Sequence, residues 1–101
     1  MLRIYDVAIG MLEEMRPALS AIEGKDRDLA RQMRRAASSI VLNLAEGSGS
    51  AGGTRRERYR NALGSAREVG ACIDVARAWR YADIRAEALR QIIGTLVHVT
   101  R

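Results

Sequence analysis

The 101-residue sequence carries 17 basic and 12 acidic side chains, a formal net charge of +5, and 48% apolar residues with no Phe. That apolar fraction argues against a disordered chain, the length suits one domain over residues 1–101, and the 4% aromatic content favours helices packed through Leu, Ile, Val, Met and Ala over a sheet. A single Cys excludes an intramolecular disulfide, no apolar run nears the ~20 residues that span a bilayer, and the amino-terminal stretch lacks a secretory cleavage pattern, so a cytoplasmic protein without a membrane segment is expected.

Ile4, Val7, Ala8, Met11, Leu12, Met15, Leu19 and Ile22 recur at helical spacing, with Asp6, Glu13, Glu14 and Glu23 largely off that stripe, which predicts a first helix. Pro17 lacks a backbone donor and crowds the carbonyl four residues back, so a kink or break is expected near Glu13 to Arg16, with the helix resuming in register. Gly24 provides a stop, and Asp26 or Asp28 can cap the next helix. This second helix is expected from about Asp28 to Glu46, closing at Gly47 in the left-handed conformation. Its buried face is Met33, Ala36, Ala37, Ile40, Val41 and Leu44, while Arg31, Arg35, Ser39, Asn43 and Glu46 line up along the opposite side.

The segment GSGSAGG that follows satisfies G-x-G-x-x-G at Gly47, Gly49 and Gly52, but it follows a helix where the dinucleotide fingerprint must follow a strand. No Gly-Lys-Ser/Thr of a Walker loop is present, so the segment reads as a flexible connector. Thr54 and Glu57 have the spacing of a capping box and predict the start of a third helix. Tyr59, Ala62, Leu63, Ala66, Val69, Gly70, Ile73 and Ala76 form its apolar stripe, which continues to about Arg80 and places Cys72 inside the helix as a small buried filler. Gly64, Ser65, Gly70 and Ala71 lower helix propensity together and point to another helix approaching closely on that side. A turn at Tyr81 to Asp83, with Asp83 as cap, leads into a fourth helix carrying Leu89, Ile92, Ile93, Leu96 and Val97. Four helices joined by short connections predict an all-α, antiparallel up-down-up-down four-helix bundle, with a bundle completed only by copies of itself as the runner-up.

The run RRAASSIVLNLAEGSGS from Arg34 to Ser50, followed by RYRNALGSAREV, resembles the four-helix-bundle proteins encoded in intervening sequences of 23S ribosomal RNA genes, relatives of which serve as accessory proteins of diversity-generating retroelements. Arg34 and Arg35, Ser39, the run Asn43 to Gly47, and Gly64-Ser65 with Glu68 carry the resemblance, which covers residues 29 to 80 well and the outer helices by pattern. Two positions depart from it. Val41 stands where the family often has Pro, and the chain stops early, so the last helix is expected to be short. The resemblance implies a left-handed bundle assembled into a ring-shaped homo-oligomer, commonly a pentamer, with a basic surface toward nucleic acid and no established enzymatic activity.

The residues themselves offer little to catalysis. The one histidine, His98, excludes a triad, a His-Cys metal cluster and the Glu-x-x-His motif of di-iron bundles, and the adjacent Glu13 and Glu14 point apart on a helix. No enzyme, metal or cofactor is expected. Charge is uneven: residues 1 to 24 hold two basic against four acidic side chains, and residues 25 to 60 hold nine against four. Arg55, Arg56, Arg58 and Arg60 cluster at the start of the third helix, whose free amides already favour anions, and Arg31, Arg34 and Arg35 can extend the patch. These seven arginines form a candidate surface for the phosphates of RNA or DNA. A solvated basic face, or arginines paired with the acidic first helix of another subunit, accounts for them equally. The stripe Ser39, Asn43 and Glu46 is expected to fix helix register or oligomer state by polar contacts, with ligand binding as the sharper alternative. An adaptor for a polymerase or another nucleic-acid-processing protein stands beside direct binding. Sequence-specific base reading is not expected, because aromatics for stacking are scarce.

Overall fold

A computed structural model describes residues 3–101. Four helices, α1 (Arg3–Glu23), α2 (Arg27–Ser48), α3 (Gly52–Ala78) and α4 (Glu87–Val99), account for all its regular structure, with no strand among the described residues. Its radius of gyration of 13.5 Å is near the ~13 Å of a 100-residue globule. The long axis of 42 Å is set by α3, whose 27 residues span ~40 Å at the helical rise, and the 19 × 18 Å cross-section is about two helices each way. Each helix packs on its predecessor, and α1 also packs on α4, so the four close around one core. The α2–α3 pair is the most extensive and is antiparallel, since the end of α2 at Gly47 meets Tyr59 near the start of α3 while Ser39 meets Ser65 farther along.

The core follows the predicted stripes closely. Ile4, Ala8, Met11, Met15, Leu19 and Ile22 of α1 are buried, with Val7 and Leu12 half-buried beside them. All six predicted positions of α2 are buried, as are those of α3 except the half-buried Gly70, and Cys72 joins them. In α4, Leu89, Ile92 and Leu96 are buried, while Ile93 and Val97 are partly so. Ile84, outside any helix, plugs the core from the α3–α4 connection.

The helix ends differ from the sequence reading in several places. α1 continues through Pro17 as one helix, as the apolar stripe in register predicts, and tertiary packing of that stripe outweighs one missing hydrogen bond. Asp26 caps α2, its Oδ1 accepting from the Leu29 amide at 3.0 Å, so the helix starts one residue before Asp28. α2 continues past Glu46 to Ser48, and its cap is Gly49 at φ −85°, so Gly47 does not terminate the helix in a left-handed conformation. Gly47 is small for another reason: a Cβ there would overlap the Tyr59 ring, 2.6 Å from Cδ1 and 3.2 Å from Cζ. The connector shrinks to Gly49, Ser50 and Ala51, because α3 begins at Gly52, the one described glycine at positive φ (60°).

That earlier start overturns the capping box, since Thr54 is already helical and the N-cap is Ala51, which makes no side-chain cap bond. α3 ends at Ala78 in a Schellman motif with a non-glycine residue at its left-handed position. Arg80 sits at φ 59°, its amide donates to the Arg77 carbonyl at 3.0 Å, and the Tyr81 amide donates to the Ala76 carbonyl at 2.8 Å. Asp83 does not cap α4, whose N-cap is Ala86 without a side-chain bond; Asp83 lies 3.6 Å from Arg77 instead. Of the small residues in α3, Gly70 meets Leu89 of α4 at an ordinary 3.7 Å, whereas Gly64 has nothing within 4 Å of a Cβ. The close approach expected at Gly64 is absent within the chain.

Candidate nucleic-acid interface

Antiparallel packing brings the end of α2, the start of α3 and the end of α4 to one end of the molecule, and the arginines of the α3 start meet there. Arg55 donates from Nε to the carbonyls of Gly47 at 3.2 Å and Ser50 at 2.8 Å. Those oxygens belong to the last turn of α2 and to the connector, where helical partners run out and a cation is favoured. The next residue serves a different helix. Arg56 donates from Nε and Nη2 to the Thr100 carbonyl at 3.3 and 3.0 Å, across 44 positions of sequence. Thr100 is itself tied back by its hydroxyl, which donates to the Leu96 carbonyl at 2.6 Å.

Arg58 reaches Glu46 of α2 at 3.0 Å. Arg31 pairs with Asp28 one turn away, and Arg34 pairs with Glu23 at the end of α1 at 2.9 Å. These three pairs are about half exposed or more, so each stabilises by ~0–1 kcal/mol and stays open to a competing anion. Among the described residues, Arg35 and Arg60 make no ion pair and no side-chain hydrogen bond. The seven candidate arginines therefore fall into two sets. Arg55, Arg56, Arg58 and Arg60 share the end of the molecule, whereas Arg31, Arg34 and Arg35 lie along the first half of α2, toward the opposite end.

The polar stripe of α2 turns toward α3. The Asn43 amide donates to the Ser39 carbonyl at 3.0 Å and to Ser39 Oγ at 3.1 Å, while the Ser65 hydroxyl donates to the same Oγ at 2.8 Å. With Arg58 on Glu46 one turn farther on, the stripe links α2 to α3 at two levels. A register shift between the helices would separate both.

Two features escaped the reading of the residues alone. The first is the use of Arg55 and Arg56 as ties between chain ends, which no local spacing reveals because the acceptors are backbone carbonyls up to 44 residues away. The second is a set of large apolar side chains left in solvent: Trp79 is 68% exposed, Leu42 62% and Val75 41%. The helical period of α3 does place Val75 and Trp79 beside its buried stripe, so the signal existed. Among the described residues no three His, Cys, Asp or Glu are grouped to hold a metal ion, and no helix is long and apolar enough to cross a membrane.

A family model described as 23S rRNA-intervening sequence protein matches residues 1–101. No curated protein and no solved structure matches the chain.

Proposed function

From the chain's membership of the 23S rRNA-intervening sequence protein family, to which it belongs, we propose a non-catalytic, self-assembling up-down-up-down bundle that binds RNA or DNA weakly and with little sequence preference through phosphate contacts. The observation that supports this most is the crowding of Arg55, Arg56, Arg58 and Arg60 into two turns at one end of the molecule. Arg55 spends only Nε on the protein, so both its terminal nitrogens remain for a phosphate, and the carbonyls that hold Nε fix the side chain in advance. Arg60, one helical turn from Arg56, makes no ion pair among the described residues. Repetition of this end around a ring-shaped oligomer, with a pentamer as the family expectation, would multiply weak contacts into useful avidity. A cytoplasmic setting fits such a role.

Gel-retardation titrations of wild type and Arg60→Ala with duplex DNA at two salt concentrations test the reading. Log affinity is expected to fall with log salt by about 0.9 per phosphate neutralised, and Arg60→Ala to lower both affinity and slope. Failure of wild type to retard either DNA or structured RNA at low salt refutes direct binding. Arg55 and Arg56 serve poorly as the primary test, because both also hold helix ends.

A second reading, an oligomeric adaptor for a polymerase or another nucleic-acid-processing protein, is favoured by the exposed Val75 and Trp79, at the opposite end of α3 from the arginine cluster, and by the exposed Leu42 of α2. It would extend to this chain the relation with accessory proteins of diversity-generating retroelements.

A further inference from the structure

Two contacts between α3 and α4 fix which of their residues stand at the same level. Arg56 meets the Thr100 carbonyl at one end, and a Cβ at Gly70 would meet Leu89 at 3.7 Å farther along, so the two helices run antiparallel. Arg67 lies three residues from Gly70, and Arg90 one residue from Leu89 in the same direction, which sets the two arginines within about 3 Å of one level. Both also border the same groove. On α3, Arg60 and Arg67 share the flank that carries Arg56 to α4, whereas Arg58 and Ser65 face α2. On α4, Ala88 lines the recess against α1, which leaves Arg90, Ile93 and Val97 on the flank toward α3.

Like charges at one level of a helix pair repel, and nothing in the chain offsets them here. Arg60, Arg67 and Arg90 are exposed and make no ion pair and no side-chain hydrogen bond among the described residues. The residues one turn from Arg67, namely Leu63, Gly64, Gly70 and Ala71, are uncharged, and the nearest acids, Glu68, Asp74 and Glu87, pair with neither arginine. Resting on the nucleic-acid reading above, we propose that the phosphate-binding surface continues from the arginine end along the α3–α4 face through Arg60, Arg67 and Arg90, and that it takes a duplex. From Arg56 to Arg67 the track is about 16 Å long, the rise of about five base pairs. Gly64, with nothing within 4 Å of a Cβ, keeps the stretch between Arg60 and Arg67 free of bulk. A single strand would need aromatic rings for its bases, and none borders this face. Tyr59 is buried, and Trp79, twelve residues beyond Arg67, is turned about 120° around α3.

Fluorescence anisotropy of labelled duplex DNA, duplex RNA and a single strand of the same length, titrated at several salt concentrations, tests the track. Arg67→Ala and Arg90→Ala should each weaken duplex binding severalfold and, on duplex DNA, lower the slope of log affinity against log salt by about 0.9 for a phosphate released. Arg16→Ala, which removes the same charge from α1, should leave that slope unchanged. Arg67→Glu supplies a second readout. It replaces repulsion across the groove by attraction to Arg90, so its thermal midpoint should rise above that of wild type, less so at high salt, while its duplex affinity falls below that of Arg67→Ala. A midpoint at or below that of wild type overturns the placement of the two arginines. Variants at Arg67 and Arg90 that bind as Arg16→Ala does overturn the track and leave the arginine end standing. Tighter binding of the single strand than of either duplex overturns the choice of a duplex. A wild type that binds none of the three at low salt refutes the nucleic-acid reading itself.

Discussion

Gly47→Ala probes the closest approach at any of the chain's described glycines. In an ordinary helix the change is favourable by about 1 kcal/mol, because alanine loses less conformational freedom than glycine. Here the new methyl would lie 2.6 Å from Tyr59 Cδ1, where carbon atoms prefer ~3.5–4.0 Å, so the ring must withdraw by about 1 Å. Tyr59 is only 6% exposed, and its helix is fastened to α2 next to this point by Arg55 on the Gly47 carbonyl and by Arg58 on Glu46. The ring therefore cannot move without loosening the start of α3. Overpacking of this kind costs about 1–3 kcal/mol, so after the helix-propensity gain of about 1 kcal/mol a net loss of up to about 2 kcal/mol is expected. In a chain of this size that lowers the melting temperature by roughly 4–8 °C per kcal/mol.

Urea denaturation followed by circular dichroism measures the change. In a Tyr59→Ala background, where the obstructing ring is gone, the same glycine replacement should become stabilising. Gly10→Ala in α1 and Gly94→Ala in α4 serve as comparisons, since a Cβ at either meets nothing within 4 Å, and both should gain up to about 1 kcal/mol. A Gly47→Ala variant as stable as these two would show that Tyr59 does not occupy the space and would refute the account of this joint.

Arg80→Gly should stabilise the chain by about 1 kcal/mol, because it relieves the left-handed strain of the α3 terminus while leaving both backbone bonds of the motif in place; an unchanged or lower thermal midpoint would contradict this. Asp26→Ala should cost about 1 kcal/mol through loss of the α2 cap, whereas Glu57→Ala, two turns into α3, should stay within about 0.5 kcal/mol; equal denaturant midpoints for the two variants would show that the caps are wrongly placed. Cys72 should resist thiol reagents in the folded protein, since burial, and then the nearby Glu68 charge, raise its pKa and keep it a neutral thiol. The raised value means that this thiol's contribution to stability is present below the pKa of the unfolded chain and is lost as pH rises through the folded one, so labelling should accelerate toward alkaline pH and in denaturant. Fast labelling at neutral pH without denaturant would contradict the burial.

The helices and their buried faces were legible because an amphipathic period repeats over several turns and tolerates local exceptions. Pro17 illustrates this: its local cost is real, yet Met15, Leu19 and Ile22 remain on the same side and hold α1 together. The ends were less legible. Thr54 and Glu57 have capping-box spacing, but the chain already turns at Gly52, and a helix that starts earlier leaves both residues inside it. Gly47 shows the same ambiguity, since glycine serves a terminus and a close contact equally well, and only the partner Tyr59 decides between them. At the candidate site the arginine cluster was visible from composition alone. Its division into Arg60, exposed and without an ion pair among the described residues, and Arg56 bound to the Thr100 carbonyl depends on where α4 ends, which no spacing near Arg56 encodes.

The pairing of α2 with α3 has a kinetic consequence. These are the two longest helices, only three residues separate them, and their shared surface is the largest in the molecule. Closing so short a loop takes little chain entropy, and the contacts it yields are near in sequence, the condition under which small helical proteins fold fastest. The α2–α3 hairpin is therefore the natural nucleus, with α1 and α4 condensing onto it. Core truncations at Ala62 or Ile40 are then expected to slow folding, whereas those at Leu89 or Ile92 should chiefly hasten unfolding. The Arg56 tie to Thr100, spanning 44 positions, is expected to form in the last steps, and the end of α4 is then expected to open first in native-state hydrogen exchange.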